Sequence, residues 1–145
     1  MMCNLEQRDQ ALAWANGGGA GLVVDLTTQL ANEGVANYNF GQTLTNVTAS
    51  AGAARLGTGQ SMKFNIAAQG ISSYGASQIN NWTNNTNANS FQAGLDSAGA
   101  ASAGEFAKKL TSTYSHKYGE IANHVVPPSI LIYKNLSNSS ENEDK

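Results

Sequence analysis

The chain has 145 residues and a formal net charge of −2 at pH 7, and 12 % of its residues are charged, against roughly 25 % in an ordinary soluble domain. The length predicts a single domain. The net charge argues against a sequence-specific nucleic-acid interface, because such an interface requires clustered Lys and Arg. The one cysteine, Cys3, excludes an intramolecular disulfide framework.

Charged residues are scarce through the middle of the chain. Between Gln10 and Gly104 they are Asp25, Glu33, Arg55, Lys63 and Asp96. A soluble monomer normally keeps a well-charged surface. We therefore expect other subunits to cover much of this chain, and the alternative interpretation is a weakly charged soluble monomer.

The N-terminal region predicts a short helix over residues 1–16, with Asn4 as its N-cap. Residues 17–21 (Gly-Gly-Gly-Ala-Gly) are predicted to form a glycine hinge, because glycine favours turns and flexible breaks. A phosphate-binding loop is excluded there, since no Gly-Lys-Ser or Gly-Lys-Thr follows and the spacing differs from the dinucleotide fingerprint.

A long, nearly uncharged helical stripe is predicted from Leu22 to Ala54. Its apolar residues recur every three or four positions, which is the pattern of a helix that lays one face against a partner. They are Val23, Leu26, Leu30, Phe40, Leu44, Val47, Ala51 and Ala54. Glu33 and Asn37 interrupt the stripe, and Gly34, Gly41 and Gly52 each weaken a helix by about 1 kcal/mol relative to alanine.

Two further amphipathic helices are predicted. One begins at Ser61, after a break at residues 57–59, and carries Phe64, Ile71, Ile79 and Trp82 at helical spacing. The asparagine-rich stretch 80–90 is predicted to be a loop, because Asn side chains compete for backbone hydrogen bonds. The other helix is predicted to run from Phe91 to Val125.

The C-terminal region is predicted to be extended. Pro127 and Pro128 are expected to end the preceding helix, since proline disfavours helix at the residue before it. Residues 130–133 (Ile-Leu-Ile-Tyr) then form a short apolar strand-like segment, followed by a polar, acidic tail that we expect to be disordered when free.

Together these patterns predict an all-α fold of about three long, elongated amphipathic helices, with a short N-terminal helix and an extended C-terminal segment. The predicted divisions are the helix at 1–16, the hinge at 17–21, a helical domain at 22–126, and the apolar segment with its tail at 127–145.

No constellation of residues predicts catalysis. His116 and His124 lie eight residues apart, more than about 10 Å along a helix, and no Cys or paired carboxylate stands at ligand spacing from them. The carboxylates are too scattered for an acid–base pair. We therefore expect no catalytic, cofactor-binding or metal-binding residues, no cofactor, and no enzyme activity.

The start Met2-Cys3-Asn4, the Gly/Ala-rich helical sequence after it, and segments such as residues 67–75 (Ala-Ala-Gln-Gly-Ile-Ser-Ser-Tyr-Gly) resemble the internal virion (ejection) proteins of short-tailed phages. The resemblance lies in composition and in the Met-Cys start. The chain departs from the family in being shorter than many members and in its apolar C-terminal segment, which leaves a head–tail, tail or capsid-associated role open.

The resemblance implies a non-enzymatic virion structural protein that assembles with copies of itself and with portal or tail proteins, and that contacts the host envelope during genome ejection. Two alternatives are a small cytoplasmic scaffold or binding module and a membrane-active helical protein. The expected assembly interface consists of Leu22, Val23, Leu26, Leu30, Phe40, Leu44, Val47, Ile130, Leu131, Ile132 and Tyr133.

Overall fold

The computed structural model describes residues 5–32, 34–57 and 60–143, and within them the regular secondary structure is entirely helical. The five α-helices are α1 (Leu5–Asn32), α2 (Phe40–Gly57), α3 (Met62–Asn84), α4 (Ser90–Thr111) and α5 (His116–Glu143), and a single 3₁₀ turn (Val35–Asn37) precedes α2. The predicted all-α class is confirmed, but the number and bounds of the helices differ from the prediction.

The five helices form a closed ring. Each helix packs against its neighbours in chain order, and α5 returns to pack against α1. Among the described residues, no helix contacts another across the ring. The fold therefore has a single layer of helices around a central space, instead of two layers around an apolar core.

The predicted glycine hinge is wrong, because residues 17–21 lie inside α1, which runs without a break from Leu5 to Asn32. These glycines provide the surface on which α2 packs. A Cβ atom built on Gly17 would lie 2.6 Å from the backbone oxygen of Ser50, and one on Gly21 would lie 2.6 Å from the Oγ atom of Ser50. Glycine is therefore required here for the close approach of two helices, and not for flexibility.

The predicted stripe from Leu22 to Ala54 is divided between α1 and α2, and the division falls at Gly34, one of the three glycines that were expected to weaken the helix. Gly34 adopts a positive φ of 70°, which glycine tolerates best, and the 3₁₀ turn follows it. The side chain of Asn39 then accepts a hydrogen bond from the backbone N–H of Gln42 (3.0 Å) and so caps the start of α2.

The helix predicted from Ser61 is confirmed, since α3 begins at Met62 and the Ser61 side chain accepts a hydrogen bond from the N–H of Phe64. The asparagine-rich loop is shorter than predicted, because α3 continues to Asn84. Asn85 ends the helix in the left-handed conformation, and Asn89 caps α4. The side chain of Asn81 holds the loop by bonds to both the N–H (2.9 Å) and the carbonyl (2.7 Å) of Ala88.

The predicted helix from Phe91 to Val125 is interrupted, because α4 ends at Thr111 and α5 begins at His116. The predicted helix end at the two prolines is wrong, since Pro127 and Pro128 lie inside α5. The ring of Pro127 packs on Gly104 of α4, where an added Cβ would lie 2.5 Å from the Cγ atom of Pro127. This packing offsets the loss of the backbone donors that prolines lack.

The apolar segment 130–133 and most of the tail are therefore helical and not extended or disordered, because α5 continues to Glu143. Four predicted features lie outside the described residues: the cap at Asn4, the thiol of Cys3, the polar interruption at Glu33 and the break at residues 58–59.

Two alanine substitutions in α1 distinguish packing from hinge motion. Gly19→Ala places a Cβ in open space and should raise the free energy of unfolding by about 0.5–1 kcal/mol through helix propensity. The Cβ atom that Gly17→Ala adds overlaps the backbone of α2, so this variant should lower the free energy of unfolding by about 1–3 kcal/mol. Urea unfolding followed by circular dichroism measures both, and an equal gain at the two positions would contradict the packing role.

Candidate functional site

The interior of the ring is polar and its exterior is apolar. Among the described residues, the buried apolar side chains are all alanines: Ala51, Ala53, Ala76, Ala100 and Ala101. The largest fully buried side chain is that of Gln29, which is 1 % exposed. Large apolar side chains point outward on all five helices, and Trp82, at 86 % exposed, is an extreme case. This arrangement inverts the usual distribution in a water-soluble helical bundle.

A buried hydrogen-bond network joins α1, α2 and α3. Asp25 on α1 accepts hydrogen bonds from Gln29 Nε2 (2.7 Å), from Asn46 Nδ2 on α2 (2.5 Å) and from the hydroxyl of Thr43. Asn80 on α3 donates to Asn46 Oδ1 (3.1 Å). The donors to Asp25 in this network are the side-chain amides of Gln29 and Asn46 and the hydroxyl of Thr43.

Gln29 connects this network to the turn before α2. Its Oε1 atom accepts a hydrogen bond from the backbone N–H of Asn39 (2.7 Å), and its Nε2 atom lies 3.0 Å from Thr43 Oγ1. The side chain of Asn39 donates in turn to Asn84 Oδ1 on α3 (2.6 Å). One glutamine side chain therefore fixes the angle at which α2 leaves the turn.

The remaining contacts of the ring also carry polar bonds. Between α3 and α4 the hydroxyls of Ser73 and Ser97 lie 2.5 Å apart, and between α5 and α1 Asn135 Nδ2 donates to Thr28 Oγ1 (2.9 Å). Between α4 and α5 the ion pairs are Lys108 with Glu120 (2.7 Å) and Lys134 with Asp96. Every pair of neighbouring helices is thus joined by hydrogen bonds between polar side chains.

These side chains surround a cavity of about 1260 Å³ along the axis of the ring, which we call the lumen. All five helices line it, from Asp9, Gln60 and His116 at one end to Asn89 and Asn138 at the other. Most of its lining is Asn, Gln, Ser, Thr, Ala and Gly, and among the described residues no Phe, Tyr or Trp lines it. Such a lining can hydrogen-bond water and small polar solutes.

Glu120 is the residue of the lumen with a perturbed acidity. The hydrogen bond from Lys108 is the main cause that holds the pKa of the Glu120 carboxyl below its ordinary value, with further contributions from the charges of Lys108, His116 and His124. Partial burial opposes this shift. Lys108 Nζ and His116 Nε2 both approach Oε1 of Glu120, at 2.7 and 3.9 Å.

The predicted interface residues lie on three adjacent helices of the ring, in the order α5, α1 and α2. Those that are exposed are Leu22, Val23, Leu30, Phe40, Leu44, Ile130 and Tyr133. Leu26, Val47, Leu131 and Ile132 are half-buried, and Leu131 lines the lumen. The seven exposed residues therefore lie on neighbouring parts of one exterior and not on a single seam, whereas Leu131 lines the lumen.

Sequence reasoning missed the polar residues of the interior. The signal was present as polar positions at helical spacing, such as Asp25 with Gln29 and Asn65, Gln69, Ser73 and Ser77. Of these positions, Ser73 and Ser77 belong to the polar side of the helix predicted from Ser61, and no structural role was predicted for the others. All of them except Gln29 line the lumen, and Gln29 is buried against α2.

Searches of the described residues find no group of three or more His, Cys, Asp or Glu placed to hold a metal ion. In the same part of the chain, no helix combines the length and apolar character needed to cross a bilayer. Comparisons with protein-family models, with curated proteins and with solved structures found no match to this chain.

Glu120→Gln tests the ion pair between α4 and α5. Because the pKa of Glu120 is lowered in the fold, its ion pair stabilises the protein above the ordinary carboxyl pKa and is lost as the pH falls through the lowered value. The pair is partly exposed, so the variant should lose less than about 1 kcal/mol at pH 7. In acid, the variant and the parent should have the same free energy of unfolding.

Urea unfolding at a series of pH values measures this effect. Lys108→Met should reproduce the loss at neutral pH, whereas Lys109→Met, at an exposed neighbouring position, should not. A difference between Glu120→Gln and the parent that persists unchanged in acid would contradict the assignment.

Proposed function

We propose that the chain is a non-enzymatic structural subunit that assembles with copies of itself and with other proteins through its apolar exterior. The supporting observation is the position of the large apolar side chains, which lie outside a ring whose interior is lined by hydrogen-bonded polar side chains. A stable protein normally buries such side chains, at a gain of roughly 1.5–3 kcal/mol each. In this chain that gain requires a partner.

The exposed area supports the same proposal. A compact monomer of 15.1 kDa is expected to expose about 7,100 Å², whereas this chain exposes 9628 Å². Part of the surplus lines the lumen. Even so, the surplus exceeds the roughly 800 Å² that each partner contributes to a standard protein interface.

We place this subunit in a phage virion, as an internal, ejection or head–tail component. That setting rests on the resemblance of the Met2-Cys3-Asn4 start and of the Ala-, Asn-, Gln- and Gly-rich helices to ejection proteins. Portal or tail proteins are then the further partners, and the host envelope is contacted during ejection.

The dimensions of the ring limit how such a component acts on the genome. Five helices with axes about 8–10 Å apart place each axis roughly 7–8 Å from the centre, and half of each helix diameter occupies most of that distance. The remaining lumen is a few ångström in radius, so a nucleic-acid duplex does not fit through one chain. A conduit for DNA would have to lie between copies.

A membrane-active protein is the second candidate. The specific observation in its favour is that exposed apolar side chains occur on all five helices, so that an apolar phase could contact the whole circumference. Leakage of a dye from neutral lipid vesicles would support this candidate, and intact vesicles would remove it.

The mass of the full chain in solution tests the proposal. Light scattering over a range of protein concentrations should give a mass well above 15.1 kDa that falls on dilution. A constant mass of one chain at every concentration would contradict self-assembly and would favour a cellular binding module with a discrete partner. The genes adjacent to the coding sequence test the virion setting separately, since a locus without phage genes would contradict it.

A further inference from the structure

A recessed apolar surface lies on the exterior between α3 and α4. We call it the α3–α4 groove. Its volume is about 270 Å³. Its lining is Ile66, Ala67, Gly70, Ile71, Tyr74, Phe91, Gly94, Leu95 and Ala98. On α3 it extends from Ile66 to Tyr74, or about 12 Å at the helical rise.

The groove is built by the close approach of two helices. A Cβ atom on Gly70 would lie 3.1 Å from the carbonyl oxygen of Gly94, and one on Gly94 would lie 3.0 Å from the carbonyl oxygen of Gly70. The glycines and alanines form a low floor, and the exposed side chains of Ile71, Phe91 and Leu95 stand beside it. A concave surface of this kind fits a convex ridge of apolar side chains.

No charge is available on this face to attract a charged partner. From Phe64 to Gly104 the one charged residue is Asp96, and its carboxylate is engaged by Lys134 of α5 and by Gln92 Nε2 (2.7 Å). The centres of protein interfaces are likewise poor in charge and rich in aromatic residues. The occupant must therefore be an uncharged, apolar ridge.

The chain itself presents such a ridge on α2. Phe40 and Leu44, which are 70 % and 57 % exposed, lie one helical turn apart and point to the same side. We call this pair the Phe40–Leu44 ridge. Among the described residues outside the groove, the other exposed apolar pairs four residues apart are Phe106 with Leu110, Leu110 with Tyr114, Tyr114 with Tyr118, and Ile121 with Val125, and each has a lysine within four positions. Docking Phe40 and Leu44 therefore buries no charge.

We propose that the α3–α4 groove of one copy receives the Phe40–Leu44 ridge of a second copy. The two surfaces lie on different helices, so the contact is heterologous and each copy retains a free ridge or a free groove for the next one. Repetition of the contact produces a ring or a filament of chains. This inference rests on the proposed self-assembly and names the surfaces that carry it.

Two charge substitutions disable the two surfaces separately. Leu44→Glu places a carboxylate on the ridge, and Ile71→Glu places one on the wall of the groove. Each variant alone should have the mass of one chain by light scattering, because burying an unpaired charge in an apolar contact is unfavourable. Val125→Glu, on the exterior of α5 at a comparable exposure, should keep the mass of the parent.

Mixing the two variants tests the direction of the contact. The Leu44→Glu chain keeps its groove and the Ile71→Glu chain keeps its ridge, so an equimolar mixture should form a complex with twice the mass of one chain. Circular dichroism checks that each variant is helical, and the pair Leu44→Gln and Ile71→Gln replaces them if either is not.

If self-assembly itself fails, the parent has the mass of one chain. Three different results, each obtained with a parent that does assemble, would overturn the inference. Retention of the parent mass by Leu44→Glu or by Ile71→Glu would exclude the corresponding surface. A mixture that remains monomeric would exclude the pairing of ridge with groove. Flotation of the parent with neutral phosphatidylcholine vesicles that is lost in Ile71→Glu, without a change in mass, would assign the groove to lipid.

Discussion

Hydrogen bonds between polar side chains, made at every contact between neighbouring helices, are the interaction on which this fold depends. The network of Asp25, Gln29, Thr43 and Asn46 illustrates the constraint. Removing a polar group from water costs free energy unless the group is paired. These groups therefore favour one arrangement of the helices, because other arrangements would leave them buried without hydrogen-bond partners. The interior contains too little apolar surface to fix that arrangement by burial, since its buried apolar side chains are alanines in the described part of the chain.

This constraint explains the composition of the chain and its exterior. Polar side chains can bridge two helices only when the backbones approach closely, and glycines such as Gly17 and Gly94 permit that approach. Once the interior is assigned to amides and hydroxyls, the large apolar residues are left on the outside. The scarcity of exposed charge and the outward position of Phe40, Leu44 and Ile71 are the two features on which the proposed assembly between copies rests.

The sequence was sufficient for the all-α class and for the start of α3 at Ser61, because local capping and periodicity determine both. It was misleading where tertiary contacts override local preference. The glycines at 17–21 are helical because α2 packs on them, and Pro127 lies inside α5 because Gly104 of α4 receives its ring. The direction in which an amphipathic helix faces could not be predicted either, since periodicity identifies two faces without showing which one meets water. For the proposed interface, the sequence shows the helical spacing of Phe40 and Leu44. The groove could not be predicted, because it depends on the contact of Gly70 with Gly94, 24 residues apart in the chain.

The inverted polarity is tested most directly by two separate substitutions, one of an interior residue and one of an exterior residue. The free energy of unfolding of each variant is measured at a concentration where the chain is monomeric. Gln29→Leu puts an apolar side chain in the interior and leaves the N–H of Asn39 without its acceptor, so it should lower the stability by about 2–4 kcal/mol. Ile79→Gln puts a polar side chain on the exterior and should change the stability by less than about 0.5 kcal/mol. The opposite order, in which Gln29→Leu is tolerated and Ile79→Gln is strongly destabilising, would contradict a ring with a polar interior and an apolar exterior.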